Sequence, residues 1–119
     1  MNLLIIICYI YRMKNTPTLS FIARQALENL GLNLRTARLR RGETEELAAQ
    51  RAGVSRPTWR RLEAGHPSVS VGLAFEALQL YGFSQQLFSL GDPDQDSEGR
   101  SKEAARRPSR GRSENERLV

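Results

Sequence analysis

The sequence predicts an all-α fold, and three observations lead to this prediction. Apolar residues recur at helical spacing in several segments between residues 20 and 91. Serine or threonine precedes several of these segments, and glycine follows them at positions 42, 53 and 82. The chain has 119 residues, of which 39% are hydrophobic, which suffices for one small domain with appendages.

Residues 1–19 are predicted to be an N-terminal extension. Residues 3–11, LLIIICYIY, form an apolar run about half as long as the roughly 20 residues of a membrane-spanning helix. The run lacks the basic region and cleavage site of a signal peptide. Its β-branched and aromatic residues favour a strand, which either pairs across a dimer or promotes aggregation. We expect this stretch to come from an upstream start, with Met13 as the true first residue.

Residues 20–91 are predicted to form the folded domain, and its first helix starts at Ser20. Residues spaced for one face of that helix are Phe21 or Ile22, Ala26 or Leu27, Leu30, Leu34 and Ala37. Gly31 is a candidate kink, and Gly42 follows the last turn.

The segment 47–65, LAAQRAGVSRPTWRRLEAG, predicts two short helices joined by a tight turn. Apolar Leu47 and the alanines after it form a stripe on the first helix, which Gly53 ends with a positive φ. Ser55 caps the second helix, and Pro57 is tolerated only in a first turn. Trp59 and Leu62 then face inward.

The outward face of this second helix is cationic. Residues 51–61 contain four arginines and no acidic residue, an arrangement that repels itself unless a polyanion relieves it. A guanidinium group can donate two parallel hydrogen bonds to phosphate oxygens or to the edge of guanine. The alternative is a solvated face without a ligand. Because the arginines lie on a helix that follows a turn, we favour DNA.

Two further helices are predicted at about residues 71–81 and 84–90. Ser68 and Ser70 offer caps for the first, and its core candidates are Leu73, Ala74, Ala77, Leu78 and Tyr81. Residues 92–119 are rich in charge, serine, glycine and proline, and are predicted to be a disordered tail. The net charge of +5 belongs entirely to residues 1–91, with 11 basic and 6 acidic residues, whereas 92–119 has seven of each.

Four stretches carry a family resemblance between residues 30 and 93. They are LGLNLRTARLRRG, the turn RAGVSRPTWRRLEAG, HPSVSVGLAFEALQLYGF and LFSLGDP. Together they resemble the XRE family of helix-turn-helix regulators, related to the lambda-repressor and Cro type. More narrowly, they are similar to the antitoxin regulators that accompany HipA-type kinases.

The resemblance implies a five-helix, lambda-repressor-like domain that binds double-stranded operator DNA as a two-fold homodimer. It places Ser55, Arg56, Pro57 and Arg61 at base edges, and Thr58 and Arg60 at phosphates. It also implies that Arg38 and Glu63 form a structural ion pair. Ser68 and Ser70, with the amide groups at a helix start, are further candidates for a phosphate contact.

Two departures from the family pattern stand out. Glu45 occupies a position where the family has a glutamine that touches the DNA backbone, so we expect no DNA contact from it. Its acidic side chain suits a helix N-terminus instead. The core leucine arrives one residue early, at Leu47, which leaves the register of that helix open.

The residues show no catalytic constellation, no metal-ligand spacing and no cofactor motif, so no enzyme is predicted. Single Cys8 permits no internal disulfide, which favours the cytoplasm. Because the apolar run of residues 3–11 is too short to span a bilayer, no membrane partner is expected. We expect a repressor of its own promoter, the antitoxin of a HipA-like kinase toxin. The alternatives are a stand-alone phage-type repressor and a protein-interaction inhibitor that binds DNA weakly.

Overall fold

The computed structural model describes residues 2–14 and 18–106. This part of the chain is all-α, as predicted, with seven α-helices, one 3₁₀ turn and no strand. The helices are α1 (Leu3–Lys14), α2 (Phe21–Arg40), α3 (Glu45–Ala52), α4 (Arg56–Glu63), α5 (Val71–Leu80), α6 (Ser84–Ser89) and α7 (Ser97–Arg106). The five helices predicted between residues 20 and 91 are α2 to α6. The chain divides after Leu87 into two compact units, which are described separately.

Helices α2 to α5 each begin at a hydroxyl cap. The side-chain oxygen accepts a hydrogen bond from the backbone N–H three residues later, which satisfies one of the donors left free at a helix start. The caps are Ser20, Thr44, Ser55 and Ser70, with N···O distances of 3.2, 3.1, 3.3 and 3.1 Å. The cap prediction is therefore confirmed at Ser55 and Ser70.

The core lies between α2, α3, α4 and α5. Trp59 and Leu34 are its largest fully buried side chains, and the rings of Trp59 and Tyr81 pack in a T-shaped arrangement at a centroid distance of 6.3 Å. Helix α3 packs against α4 and α5, and α2 packs against α4. The buried hydrophobic residues are Leu34, Ala37, Ala48, Ala49, Trp59, Leu62, Leu73, Ala77 and Tyr81.

The predicted core is wrong at the start of α2 and at one position of α3. Phe21 and Ile22 are exposed, because only the later part of α2, from Leu30 onward, reaches the core. Leu47 is 43% exposed, whereas Ala48 and Ala49 are buried. In α3, therefore, the small alanines face α4 and α5, and the leucine does not.

Gly31 does not interrupt α2, which is continuous from residue 21 to 40. It lies where α2 crosses the end of α4, and a Cβ placed on it would come within 2.8 Å of the Leu62 carbonyl oxygen. Gly65, just after α4, is equally tight, since its Cβ would lie 2.6 Å from the Glu28 Cα. The two glycines allow the backbones of α2 and α4 to approach closely.

Residues 3–11, for which a strand was favoured, are helical, so that prediction is wrong. A helix satisfies its backbone hydrogen bonds locally, whereas a strand needs a neighbouring strand. The described residues contain no strand with which residues 3–11 could pair. The leucines and isoleucines of α1 are exposed. None of the described helices is both long enough and apolar enough to cross a membrane.

The second unit differs from the predicted disorder over residues 93–106. Pro93–Gln95 form a 3₁₀ turn, and α7 follows it. Asp96 accepts a 2.8 Å hydrogen bond from the Gly99 N–H, and Lys102 pairs with Glu98 one turn away at 2.8 Å. These local contacts favour a helix although it buries no residue. The rest of the predicted tail, residues 107–119, lies outside the described residues.

Candidate nucleic-acid interface

Helices α3 and α4 are joined by a three-residue turn. Gly53 ends α3 in the left-handed region, with φ of 72°, and the Val54 N–H donates to the Ala49 carbonyl at 3.0 Å. Ser55 then caps α4, as predicted. Since α3 and α4 also pack against each other, the turn holds α4 in a fixed direction relative to the core.

Helix α4 has one buried face and one exposed face. Trp59 and Leu62 are buried, as the sequence predicts. The side chains of Arg56 and Arg60, one turn apart, are 53% and 58% exposed. Helix α4 therefore presents guanidinium groups to solvent from a helix that is anchored by its apolar face.

The six residues that the sequence places at DNA from α4 and its cap lie together. Ser55, Arg56, Pro57 and Arg60 are exposed, whereas Thr58 and Arg61 are partly buried. The Arg61 guanidinium donates to the Thr58 hydroxyl at 3.1 Å, and the hydroxyls of Thr58 and Ser55 are 2.9 Å apart. These contacts hold Arg61 along the first turn of α4.

This arginine face has an acidic partner that is not evident from the sequence. The Glu45 Oε2 atom, at the first position of α3, accepts from the Arg60 Nε at 2.6 Å and from the Arg56 Nε at 3.4 Å. The hydrogen bond from Arg60 holds the pKa of the Glu45 carboxyl below its ordinary value. Arg51 pairs in the same way with Glu43.

The expectation that only a polyanion relieves the four arginines is therefore corrected. Residues 51–61 contain no acid, but the segment just before them supplies two, Glu43 and Glu45. No local pattern could reveal the contact of Glu45 with Arg56 and Arg60, because the residues are 11 and 15 positions apart. The contact depends on how α3 and α4 cross.

Ser68 and Ser70 lie in the loop between α4 and α5. Ser70 caps α5. Ser68 caps no helix and instead makes a local contact, with its hydroxyl 2.7 Å from the His66 Nδ1. His66 is exposed, as expected. Both serines are accessible at the surface, so the geometry permits the phosphate contacts that the sequence suggests for them.

Arg38 and Glu63 form an ion pair that links α2 to the end of α4. The Arg38 Nε and Nη2 atoms donate to the two carboxylate oxygens at 2.7 and 3.0 Å, and both side chains are only 7% exposed. The Trp59 Nε1 donates to the same carboxylate at 2.7 Å. The hydrogen bond to Glu63 raises the pKa of the Arg38 guanidinium. This arrangement fixes α4 by polar as well as apolar contacts.

A second polar network, which the sequence did not reveal, holds the loop between α2 and α3. The Tyr81 hydroxyl donates to Glu43 at 3.1 Å, and the Arg38 Nη1 donates to the Glu43 carbonyl at 2.9 Å. Arg41 lies over the Tyr81 ring, 4.9 Å from its centroid. Burial, together with the Glu43 carboxylate, raises the pKa of Tyr81 to about 12. Glu43 is thus committed to structure.

The described residues contain no group of histidine, cysteine, aspartate or glutamate that could hold a metal ion. At the exposed face of α4, the protein instead offers hydroxyl and guanidinium groups that donate hydrogen bonds. Such groups recognise phosphates and base edges.

The comparison with known families agrees with this geometry. A family model described as a helix-turn-helix domain matches residues 29–90, more than half of the chain, and includes α3, α4 and the turn between them. No curated protein and no solved structure is significantly similar. A helix-turn-helix domain implies DNA binding and a role in transcription regulation. The chain belongs to this helix-turn-helix domain family.

Proposed function

We propose that this chain is a sequence-specific transcriptional repressor that reads operator DNA with α4. The observation that carries the proposal is the two-sided character of α4, with Trp59 buried and Arg56 and Arg60 exposed. An α-helix of this kind fits the major groove of B-DNA, which is about 12 Å wide. In the proposed complex, Ser55, Arg56, Pro57 and Arg61 approach bases, and Thr58, Arg60, Ser68 and Ser70 approach phosphates.

The repressor is proposed to act as a homodimer in which each α4 enters one half-site. The two half-sites are then about 34 Å apart, one turn of the double helix. The exposed positions of Ser55, Arg56 and Pro57 at the start of α4 support this docking, because recognition helices contact bases with their N-terminal residues.

The proposal is tested by a gel shift with the DNA upstream of the chain's own gene, against a scrambled duplex of equal length. If a dimer neutralises about six phosphates, affinity falls about a thousandfold between 50 and 200 mM salt. A binding constant that does not respond to salt contradicts the proposal. That outcome favours the alternative of a protein-interaction inhibitor.

Arg56→Ala and Arg61→Ala are each expected to weaken operator binding by about 1–3 kcal/mol and to relax the preference for one base pair. Arg60→Ala is expected to weaken operator and scrambled DNA alike, and to lower the salt slope by about one unit. Anisotropy titrations on both duplexes measure the difference. Arg35→Ala, at an exposed site on α2, is the matched control. Uniform weakening by Arg56→Ala or Arg61→Ala assigns that residue to a phosphate.

The antitoxin role is the finer part of the proposal and is supported by the sequence resemblance alone. It requires a HipA-like kinase encoded beside this chain, and a complex of the two proteins that represses their shared promoter. Co-expression of the pair followed by purification on this chain tests the role. A stand-alone repressor, in contrast, binds its operator without such a neighbour.

A further inference from the structure

Glu45 places a negative charge on the arginine face of α4. Its Oε2 atom accepts hydrogen bonds from both Arg60 and Arg56, and the Glu45 side chain is itself 28% exposed. The carboxylate therefore occupies donors of two guanidinium groups that otherwise point to solvent. A carboxylate oxygen and a phosphate oxygen compete for the same guanidinium N–H groups.

We propose that Glu45 is an intramolecular competitor of DNA phosphate and sets the affinity of this chain for DNA. The inference rests on the proposed function and adds to it the regulation of that same surface. In the free protein, Glu45 pairs with Arg56 and Arg60. In the complex, those donors transfer to DNA, and the unpaired carboxylate stays beside the duplex.

The competition is readily reversible, because both ion pairs lie at the surface. Exposed ion pairs of this kind contribute little to stability, so phosphate groups can displace the carboxylate. The lasting effect of Glu45 is repulsion, since its backbone is fixed at the start of α3. Thr44 caps this helix, and the buried Ala48 and Ala49 anchor it. The charge cannot move away with a flexible segment.

The neighbouring acidic residues do not share this role. Glu43 is held by Arg51 and the Tyr81 hydroxyl. Glu46 is exposed on the same first turn of α3 as Glu45, but it makes neither of the arginine contacts. Glu45 and Glu46 thus carry the same charge at adjacent positions, and only one of them competes.

The test compares Glu45→Gln with Glu46→Gln in the full chain. Each substitution removes one negative charge, and Gln keeps the shape of the side chain. On a duplex of the upstream DNA at 50 mM salt, we expect Glu45→Gln to tighten binding about tenfold and Glu46→Gln about twofold. At 200 mM salt, where charges are screened beyond about 7 Å, the advantage of Glu45→Gln should fall to about threefold.

A double variant assigns the effect to the contact. In an Arg60→Ala background, Glu45→Gln should tighten binding by about threefold, because the repulsion between Glu45 and the duplex remains whereas the pair with Arg60 no longer has to be broken. Thermal melting of each variant, with circular dichroism as the signal, shows that all are folded at the temperature of the titration.

Equal effects of Glu45→Gln and Glu46→Gln overturn the inference and leave the proposed function intact. Weaker binding by Glu45→Gln also overturns it, since Glu45 would then position the arginines for DNA. Absence of salt-dependent binding in the wild type and in every variant overturns the proposed function, and the inference with it.

Discussion

Replacing Glu63 with alanine is expected to lower the free energy of unfolding by about 3–5 kcal/mol. The substitution leaves the Arg38 guanidinium buried without its carboxylate, and it removes the acceptor of the Trp59 indole N–H. An unpaired buried charge costs far more than an exposed pair contributes. In a domain of this size, such a loss is a large part of the total stability.

Urea denaturation followed by fluorescence measures this loss, because Trp59 is the only tryptophan in the chain and lies in the core. We expect a lower midpoint with an unchanged slope. Glu76→Ala removes an exposed glutamate from α5 and should change stability by less than about 0.5 kcal/mol.

A double variant, Arg38→Met with Glu63→Leu, separates the buried charge from the other contacts. It should be more stable than Glu63→Ala, because no buried charge is left unpaired. A double variant that is less stable than the single one contradicts this explanation. It would show that the hydrogen bond from Arg38 to the Glu43 carbonyl, which only the double variant loses, matters more than the unpaired charge.

The sequence predicts helix α4 well because its signals are local. Ser55 caps the next turn, Pro57 fits only near a helix start, and Trp59 with Leu62 defines the inner face. Each of these signals operates within one or two turns of the helix, so one sequence is enough to read them. The positive φ of Gly53 follows from the same local pattern.

Other features of the site depend on how separate helices cross. The sequence correctly places Glu45 at the start of a helix. Its contacts with Arg56 and Arg60, however, form only when α3 and α4 pack against each other. Periodicity likewise gives Phe21 an inward direction without showing that α2 extends past the core there. Helical spacing predicts which residues share a face, but it does not predict which part of the protein packs against that face.

Composition was the weakest guide at the two ends of the chain. The β-branched residues of 3–11 favoured a strand, and the polar residues of 97–106 favoured disorder, yet both segments are helical. A helix forms its hydrogen bonds within one segment, so it needs neither a partner strand nor a core to satisfy its backbone. Local contacts such as Asp96 with Gly99 then decide the outcome.

Gly31→Ala is expected to destabilise the domain by about 3 kcal/mol, although alanine normally favours a helix. A Cβ at residue 31 would lie 2.7 Å from the Glu63 carbonyl carbon and 2.8 Å from the Leu62 carbonyl oxygen. These atoms belong to the backbone of α4 and cannot turn away as a side chain would. Helices α2 and α4 must therefore separate, which also lengthens the Arg38–Glu63 contacts.

Gly72→Ala is the matched control for Gly31→Ala, because it is the same substitution inside a helix. Residue 72 lies in α5, and a Cβ there meets only the Ser70 hydroxyl oxygen, at 4.0 Å. Its expected effect is small, a change of less than about 0.5 kcal/mol, because residue 72 lies in the first turn of α5 and the full propensity difference applies only to helix interiors. Urea denaturation of both variants measures the two changes in the free energy of unfolding. A Gly31→Ala variant as stable as the wild type would show that the backbones of α2 and α4 do not approach each other closely at residue 31.

Because α4 carries the arginine face, the Gly31→Ala variant should also bind operator DNA less tightly under conditions where it remains folded.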